Sequence, residues 1–183
     1  MIDRDFLSRS SIEPLDRSRH DRTGFRSGVD RIDNYLQNTA ARHHAEDFSK
    51  TYVAVEPPSP EILGFYSLNP HAIEVSSLPV EVRKKMPRHP TIPAIYLATL
   101  AVKLSMQNRG LGTYLMSDFL RRCVDVADRV GGHFVVLDAI DENAARMYRR
   151  IGFVDLPDHW PRMIMNVAKV RKAVVAAIAV RAV

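Results

Sequence analysis

Residues 94–113 read AIYLATLAVKLSMQNRGLGT, and this stretch decides the fold. Ala94–Val102 is an apolar run in which both alternating sets, Ile95/Leu97/Thr99/Ala101 and Tyr96/Ala98/Leu100/Val102, are largely apolar. A strand of that kind belongs inside a sheet, covered on both faces. The polar segment LSMQNRG follows, and helical periodicity then runs from about Gly112 to Val130, with Leu115 or Met116, Phe119, Cys123, Val126 and Val130 on the apolar stripe. Gln107-Asn108-Arg109-Gly110-Leu111-Gly112-Thr113 therefore occupies a strand-to-helix junction. The first amides of a helix lack internal partners, and its dipole favours an anion there. Glycines at such a turn let a phosphate approach the main chain. A dinucleotide fingerprint needs a further Gly where Leu115 stands, and a Walker loop needs Gly-Lys-Ser/Thr, which is absent.

Downstream, Gly131-Gly132 ends the helix and His133–Ala139 is a second buried strand. Asp141 is suited to cap a helix that runs to about Arg150, with Gly152 as its terminator, and Met163–Val167 makes a last strand. The tail from 168 to 183, rich in Ala and Val, reads as a helix whose apolar face could cover its own core, a second subunit or a partner protein. Upstream, Ile32, Tyr35, Leu36 and Thr39 place a helix over Val29–His44. Thr51–Val55 and Ile62–Leu68 form a hairpin across Pro57, Pro58 and Pro60, and residues 1–22 make an irregular start or an edge strand. Prolines chop residues 70–93 around a short helix in VEVRKKM, where Arg83, Lys84, Lys85, Arg88 and His89 gather positive charge. The alternation of strands and helices in the second half is that of an α/β unit with a partly parallel sheet.

The chain of 183 residues has the length of one domain, and 46% hydrophobic with 26% charged residues is a globular balance. One cysteine excludes a disulfide framework and a Cys-rich zinc site, and the adjacent His43 and His44 diverge on a helix, so no metal site is expected. Residues 1–20 lack the apolar core of a signal peptide, and no stretch has the roughly 18 apolar residues of a membrane span, which places the protein in the cytoplasm without membrane attachment. A net charge of +5 suits a phosphate-bearing partner or a solvated basic surface.

The Gln-x-x-Gly-x-Gly turn after Leu100-Ala101-Val102, with Asp141-Glu142-Asn143-Ala144-Ala145-Arg146-Met147-Tyr148 and then Gly152-Phe153, resembles the GCN5-related N-acetyltransferase (GNAT) superfamily over residues 94–167. The first half, in Phe25-Arg26-Ser27-Gly28, Ile32-Asp33-Asn34-Tyr35-Leu36 and Leu63-Gly64-Phe65-Tyr66, is similar to the acetyltransferase toxins of bacterial toxin–antitoxin pairs, so the likeness spans a core of about 25–167 within a single domain of 1–183, extended by about 168–183. The resemblance implies a mixed central sheet with splayed central strands and helices on both faces. It implies acetyl-CoA as co-substrate, aminoacyl-tRNA as acceptor of the acetyl group on its α-amine, a block of translation, and a ribbon-helix-helix antitoxin as partner. By it, Gln107, Asn108, Arg109, Gly110, Leu111, Gly112 and Thr113 hold the pyrophosphate, the backbone of Leu100, Ala101 and Val102 holds the acetyl carbonyl and pantetheine, and Tyr148 is the general acid. Asp141, Lys103 and Met106 depart from residues common at those positions, and a pantetheine contact from an Asn at 141 does not carry over.

A phenol with an ordinary pKa near 10 stays protonated at neutral pH and can supply a proton to a thiolate of pKa near 8.5. Without the resemblance, Tyr148 is equally readable as a ring packed on the sheet, and Arg109 as an exposed cation. Acetylation of a small amine or a protein N-terminus, and a non-catalytic RNA-binding module, are the alternatives. A homodimer is left open.

Overall fold

Apolar runs become strands and 3.6-residue stripes become helices in the computed structural model, which describes residues 4–157 and 159–173. In chain order the strands are β1 (Ser11–Pro14), β2 (Lys50–Val55), β3 (Gly64–Glu74), β4 (Thr91–Val102), β5 (Phe134–Asp138), β6 (Val154–Asp155) and β7 (Arg162–Asn166). The α-helices are α1 (Arg4–Arg9), α2 (Asp30–Asn34), α3 (Ala40–Ala45), α4 (Val80–Arg83), α5 (Leu111–Val130) and α6 (Glu142–Ile151). The seven strands form a mixed sheet in the order β1-β2-β3-β4-β5-β7-β6, with β4 and β5 parallel. The fold divides into two compact units, one made of the residues up to Asn69 with Ala98–Phe119, the other of Pro70–Leu97 and the residues from Leu120 onward. No helix among the described residues is long and apolar enough to cross a membrane.

In the first unit the anticipated hairpin is present: β2 and β3 pair antiparallel from Lys50↔Leu68 to Ala54↔Gly64. The start of the chain provides the edge strand, β1, antiparallel to β2. The six-residue α1 before it was not legible, because so short a segment shows no periodicity. The helix expected over Val29–His44 exists as α2, a π-helical turn at Tyr35–Thr39, and α3. Leu36 and Ala40 are its fully buried positions, whereas Thr39 is only half-buried. They pack in a core with Val53, Ile62 and Phe65, and Phe25 meets Phe65 edge-on at 5.3 Å between centroids.

In the second unit β5 pairs parallel with β4 over Ala94↔Phe134 to Leu97↔Leu137 and antiparallel with β7 over Phe134↔Asn166 to Asp138↔Arg162. Ile73, Ile92, Phe134, Val136 and Ile164 share one core. The α4 segment is the short helix foreseen in VEVRKKM, and Arg83, Lys84, Lys85, Arg88 and His89 around it are exposed. Residues 167–173 are helical, as read for the start of the tail, and 174–183 lie outside the described residues.

Two expectations need correction. The sequence of β4 suggested cover on both faces, but only its first half has it: Ala94, Ile95 and Leu97 are buried, while Ala98 is exposed and Thr99 and Leu100 are half-buried. The paired stretch with β5 ends at Leu97, and β4 continues to Val102 beyond it. This parting of the central strands leaves an apolar run open where composition alone signals burial. On α5 the stripe is Leu115, Met116, Phe119, Cys123 and Val124, and Val130 is 82% exposed because the final turn, Asp128 to Val130, is solvated all round. Cys123 is fully buried, and burial pushes its thiol far above the usual range.

Candidate active site

The turn between β4 and α5 is built from main chain. Residues Leu104–Met106 make one 3-10 turn, Gln107 is extended, and Asn108 and Gly110 take left-handed backbone at φ 61° and 90°. Glycine is the residue for which that conformation costs nothing. Alternation of this kind brings successive N–H groups into anion-binding concavities. The first intrahelical bond of α5 runs from Tyr114 N–H to Gly110 O at 3.0 Å, so the amides just before it have no helical acceptor. A Cβ at Gly112 would meet only Val102 Cγ2, at 3.7 Å, which is ordinary contact. The packing of the described residues therefore does not itself require glycine at this position. The Arg109 guanidinium lies over the Phe6 ring, 5.3 Å from its centroid, which holds α1 beside the turn.

Neighbouring elements set the turn's position. A Cβ at Gly64 would stand 2.8 Å from Leu115 Cδ1 and 3.1 Å from Ala101 O, so only glycine lets β3 lie this close to α5 and β4. The buried Tyr66 hydroxyl donates to Asp118 Oδ2 at 2.6 Å and pins the same helix one turn further on. Lys103, at the end of β4, is ion-paired with Glu61, and its N–H donates to Leu63 O at 2.9 Å.

Tyr148 belongs to the second unit. It lies on α6, which is capped at both ends: Asp141 Oδ1 accepts the Ala144 N–H at 2.8 Å, and Gly152 closes the helix at φ 117°. The Tyr148 ring is 9% exposed and packs edge-on against Phe153 at 5.9 Å. Burial, with the Asp141 charge second, raises its phenol above the usual pKa, so it carries its proton at neutral pH. The Tyr66 hydroxyl is taken up by Asp118 and those of half-buried Tyr35 and Tyr96 by Ser67 and Asp138, whereas the Tyr148 hydroxyl, like that of half-buried Tyr114, makes no hydrogen bond to the described residues.

The model of the acetyltransferase (GNAT) family matches residues 17–153. The probable toxin TacT of Sinorhizobium fredii is 34% identical over 167 residues, covering 87% of this chain and 92% of the relative. The chain belongs to the GNAT acetyltransferase family. A tRNA-acetylating toxin of Mycobacterium tuberculosis is 32% identical over 155 residues, with 85% and 90% covered. Among solved structures, a tyrosine-to-phenylalanine variant of KacT superposes with a TM-score of 0.84 at 24% identity, over 90% of this chain and 99% of that one. AtaT in complex with acetyl-methionyl-tRNAfMet gives a TM-score of 0.83 at 24% identity, over 90% and 98%. At those identities the structural likeness speaks for the fold.

Of the residues singled out in this acetyltransferase, Gln107–Thr113 form one turn on α5, Leu100–Val102 form the part of β4 beyond its pairing with β5, and Tyr148 stands on α6. His44 Nδ1 accepts the Thr51 N–H at 3.0 Å, and among the described residues no group of three or more His, Cys, Asp or Glu is placed to hold a metal ion. Trp160 is 54% exposed, with the Arg149 guanidinium 5.9 Å from its ring centroid.

Sequence reasoning missed a polar ladder across the second unit. Arg162 makes a two-pronged pair with Asp138 at 2.9 and 3.0 Å, the Tyr96 hydroxyl donates to Asp138 at 2.9 Å, and the His71 ring lies 5.2 Å from that of Tyr96. The Arg162 bonds hold the Asp138 carboxyl below its ordinary pKa, helped by Tyr96. Asp138 at the end of an otherwise apolar strand was the available signal.

Proposed function

We propose that this acetyltransferase uses acetyl-CoA to acetylate the α-amine of aminoacyl-tRNA, and that it is a toxin that blocks translation. The observation that carries the reading is the open main-chain turn leading into α5, where Gly112 leaves room for a group that no side chain among the described residues fills. The toxin relatives, one of them tRNA-acetylating, support the choice of acceptor. Solved AtaT and KacT assemblies include an antitoxin-bound form and a DNA complex, which support an antitoxin as the partner here; its ribbon-helix-helix type rests on the family resemblance alone.

Acetyl-CoA supplies an activated acetyl thioester. The amides of 108–113 hold its pyrophosphate, Arg109 adds positive charge at the same turn, and the β4 backbone of Leu100–Val102, free of β5, offers N–H and C=O groups to the pantetheine arm and the acetyl carbonyl. In the transfer the amine lone pair forms the N–C bond, the C–S bond breaks, and the Tyr148 O–H donates its proton to the departing sulfur. The proton lost by the nitrogen goes to solvent, and the Tyr148 phenolate takes a proton back from solvent before the next turnover. No base is required of the protein, since an appreciable fraction of an α-amine of pKa near 8 is neutral in the cell, unlike a lysine near 10.4.

The test is direct. Incubated with acetyl-CoA and charged tRNA, the protein should release free thiol and yield N-acetyl-aminoacyl-tRNA. Thiol release on free aminoacyl esters at the same rate would move the substrate to small amines, and no release at all would reduce the protein to a binding module. Gly112→Asp places a carboxylate where pyrophosphate must come; by calorimetry a folded Gly112→Asp protein should lose acetyl-CoA binding. Unchanged affinity would take the turn out of the site.

A further inference from the structure

No step of the reaction uses Ser27 and Asp33, although both stand in the first-half sequence that resembles the toxins. We infer that they form a clamp holding the 107–113 turn in its binding shape, with Asp33 and Gln107 as positioning residues; this rests on reading that turn as the pyrophosphate site.

Asp33 is a carboxylate on the inner face of α2, 6% exposed. A buried carboxylate is costly unless its oxygens receive hydrogen bonds. Asp33 Oδ1 receives two from one residue, Ser27 N–H at 2.8 Å and Ser27 Oγ–H at 2.5 Å, which fixes the main chain at Ser27. The Ser27 carbonyl then accepts Gln107 Nε2 at 3.0 Å, and the same amide group donates to Val102 O at 3.1 Å. Both flanks of Ser27 meet the 3-10 turn that precedes Gln107. Arg26 O accepts the Leu104 N–H at 2.8 Å, and Gly28 takes left-handed backbone at φ 89° with Leu104 against it, where a Cβ would stand a tight 3.2 Å from Leu104 Cδ2.

Gln107 is an exposed side chain. Holding it in one rotamer across two backbone segments costs conformational entropy, and it contributes nothing to the core. The order it imposes has value for a ligand that would otherwise have to order the turn itself on binding. Asp33, Ser27 and Gln107 thus connect a buried anchor to an exposed binding turn, within one unit of the fold.

The experiment compares wild type, Gln107→Leu, Asp33→Asn and the double variant for acetyl-CoA affinity by calorimetry, thermal midpoint and steady-state constants. Leu keeps the approximate volume of Gln and removes both donors. Loss of the hydrogen bonds should raise the acetyl-CoA Kd about 3- to 10-fold in Gln107→Leu. The change should fall on KM for acetyl-CoA rather than on kcat or on KM for the acceptor. Because the residues act in series, the double variant should bind no more weakly than about the worse single one. Multiplying effects would show that Asp33 and Gln107 act independently, and a lowered thermal midpoint with unaltered Kd would show Asp33 to be a fold residue only; either result overturns the clamp. Should Asp33→Asn fail to fold, Ser27→Ala breaks the same link by removing only the hydroxyl. A wild type that does not bind acetyl-CoA would sink the pyrophosphate reading itself; a wild type that binds, with Gln107→Leu binding equally well, would sink the clamp alone.

Discussion

At the scale of single residues, Tyr148 differs from Tyr66 and Tyr96 in that its hydroxyl makes no hydrogen bond to the described residues. Tyr66 spends its O–H on Asp118 and Tyr96 on Asp138, each at a normal hydrogen-bond distance, whereas Tyr148 keeps a protonated phenol in reserve. Replacing Tyr148 by Phe preserves the ring contact with Phe153 and removes only that donor. General acid catalysis typically contributes about 10²–10⁴-fold, so Tyr148→Phe should lose that factor in kcat while acetyl-CoA affinity and thermal midpoint stay as in wild type. Near-normal kcat in the folded variant would make Tyr148 a packing residue. The sequence singles out Tyr148 by its register with Gly152-Phe153; the hydrogen-bonding state of its hydroxyl was not legible, since such partners come from distant segments.

At the scale of elements, α6 separates two contributions of one side chain. Asp141 caps the helix and also places a negative charge near the phenol. Asp141→Ala removes both, at a cost of about 1 kcal/mol in stability, whereas Asp141→Asn keeps the cap and removes the charge. Phenolate absorbance, referenced to Tyr148→Phe, should show the Tyr148 pKa falling in both variants, with the thermal midpoint falling clearly only in Asp141→Ala. A pKa that does not move would mean that burial alone sets it. In the strand ladder, Asp138 is held below its ordinary pKa by Arg162 and Tyr96. Its folded-state pKa is depressed, so its stabilising contribution is present above the unfolded value near 3.9 and is lost as pH falls through the lower folded value. Urea midpoints measured from pH 7 down to acid should therefore drop less steeply below about pH 4 in Asp138→Asn than in wild type; superimposable profiles would deny the pair that role. Elements with internal signals were readable in advance: the caps Asp141 and Gly152 and the apolar run of β5. What escaped reading depends on contacts made far along the chain. The π-helical turn at Tyr35–Thr39 carries no signature of its own, and the freedom of β4 after Leu97 is a property of where β5 stops pairing. Asp33, a charge beside Ile32 on the inner face of a helix, was a visible anomaly whose meaning appears only with Ser27 in place.

For the whole molecule, the excess of 26 Lys and Arg over 21 Asp and Glu matters if the acceptor is a polyanion. Arg83, Lys84 and Lys85 are exposed beside α4, with Lys84 in a surface pair with Glu81, worth little in water. Acetylation of charged tRNA should weaken as salt rises, and neutralising the three residues together should make the slope of log KM against log salt shallower while acetyl-CoA affinity changes far less. A reaction insensitive to salt would place the tRNA contacts elsewhere. The single cysteine gives the molecule another property. Cys123 is sealed inside and its thiol is held protonated, so it is inert toward thiol-reactive dyes in the native state. Every fast-reacting sulfur in a turnover mixture is then released coenzyme A, and the reaction can be followed in real time with an ordinary thiol dye and no background from the enzyme. Once the substrate is exhausted, the slow signal that remains is Cys123 itself, and its rate counts how often the native structure opens.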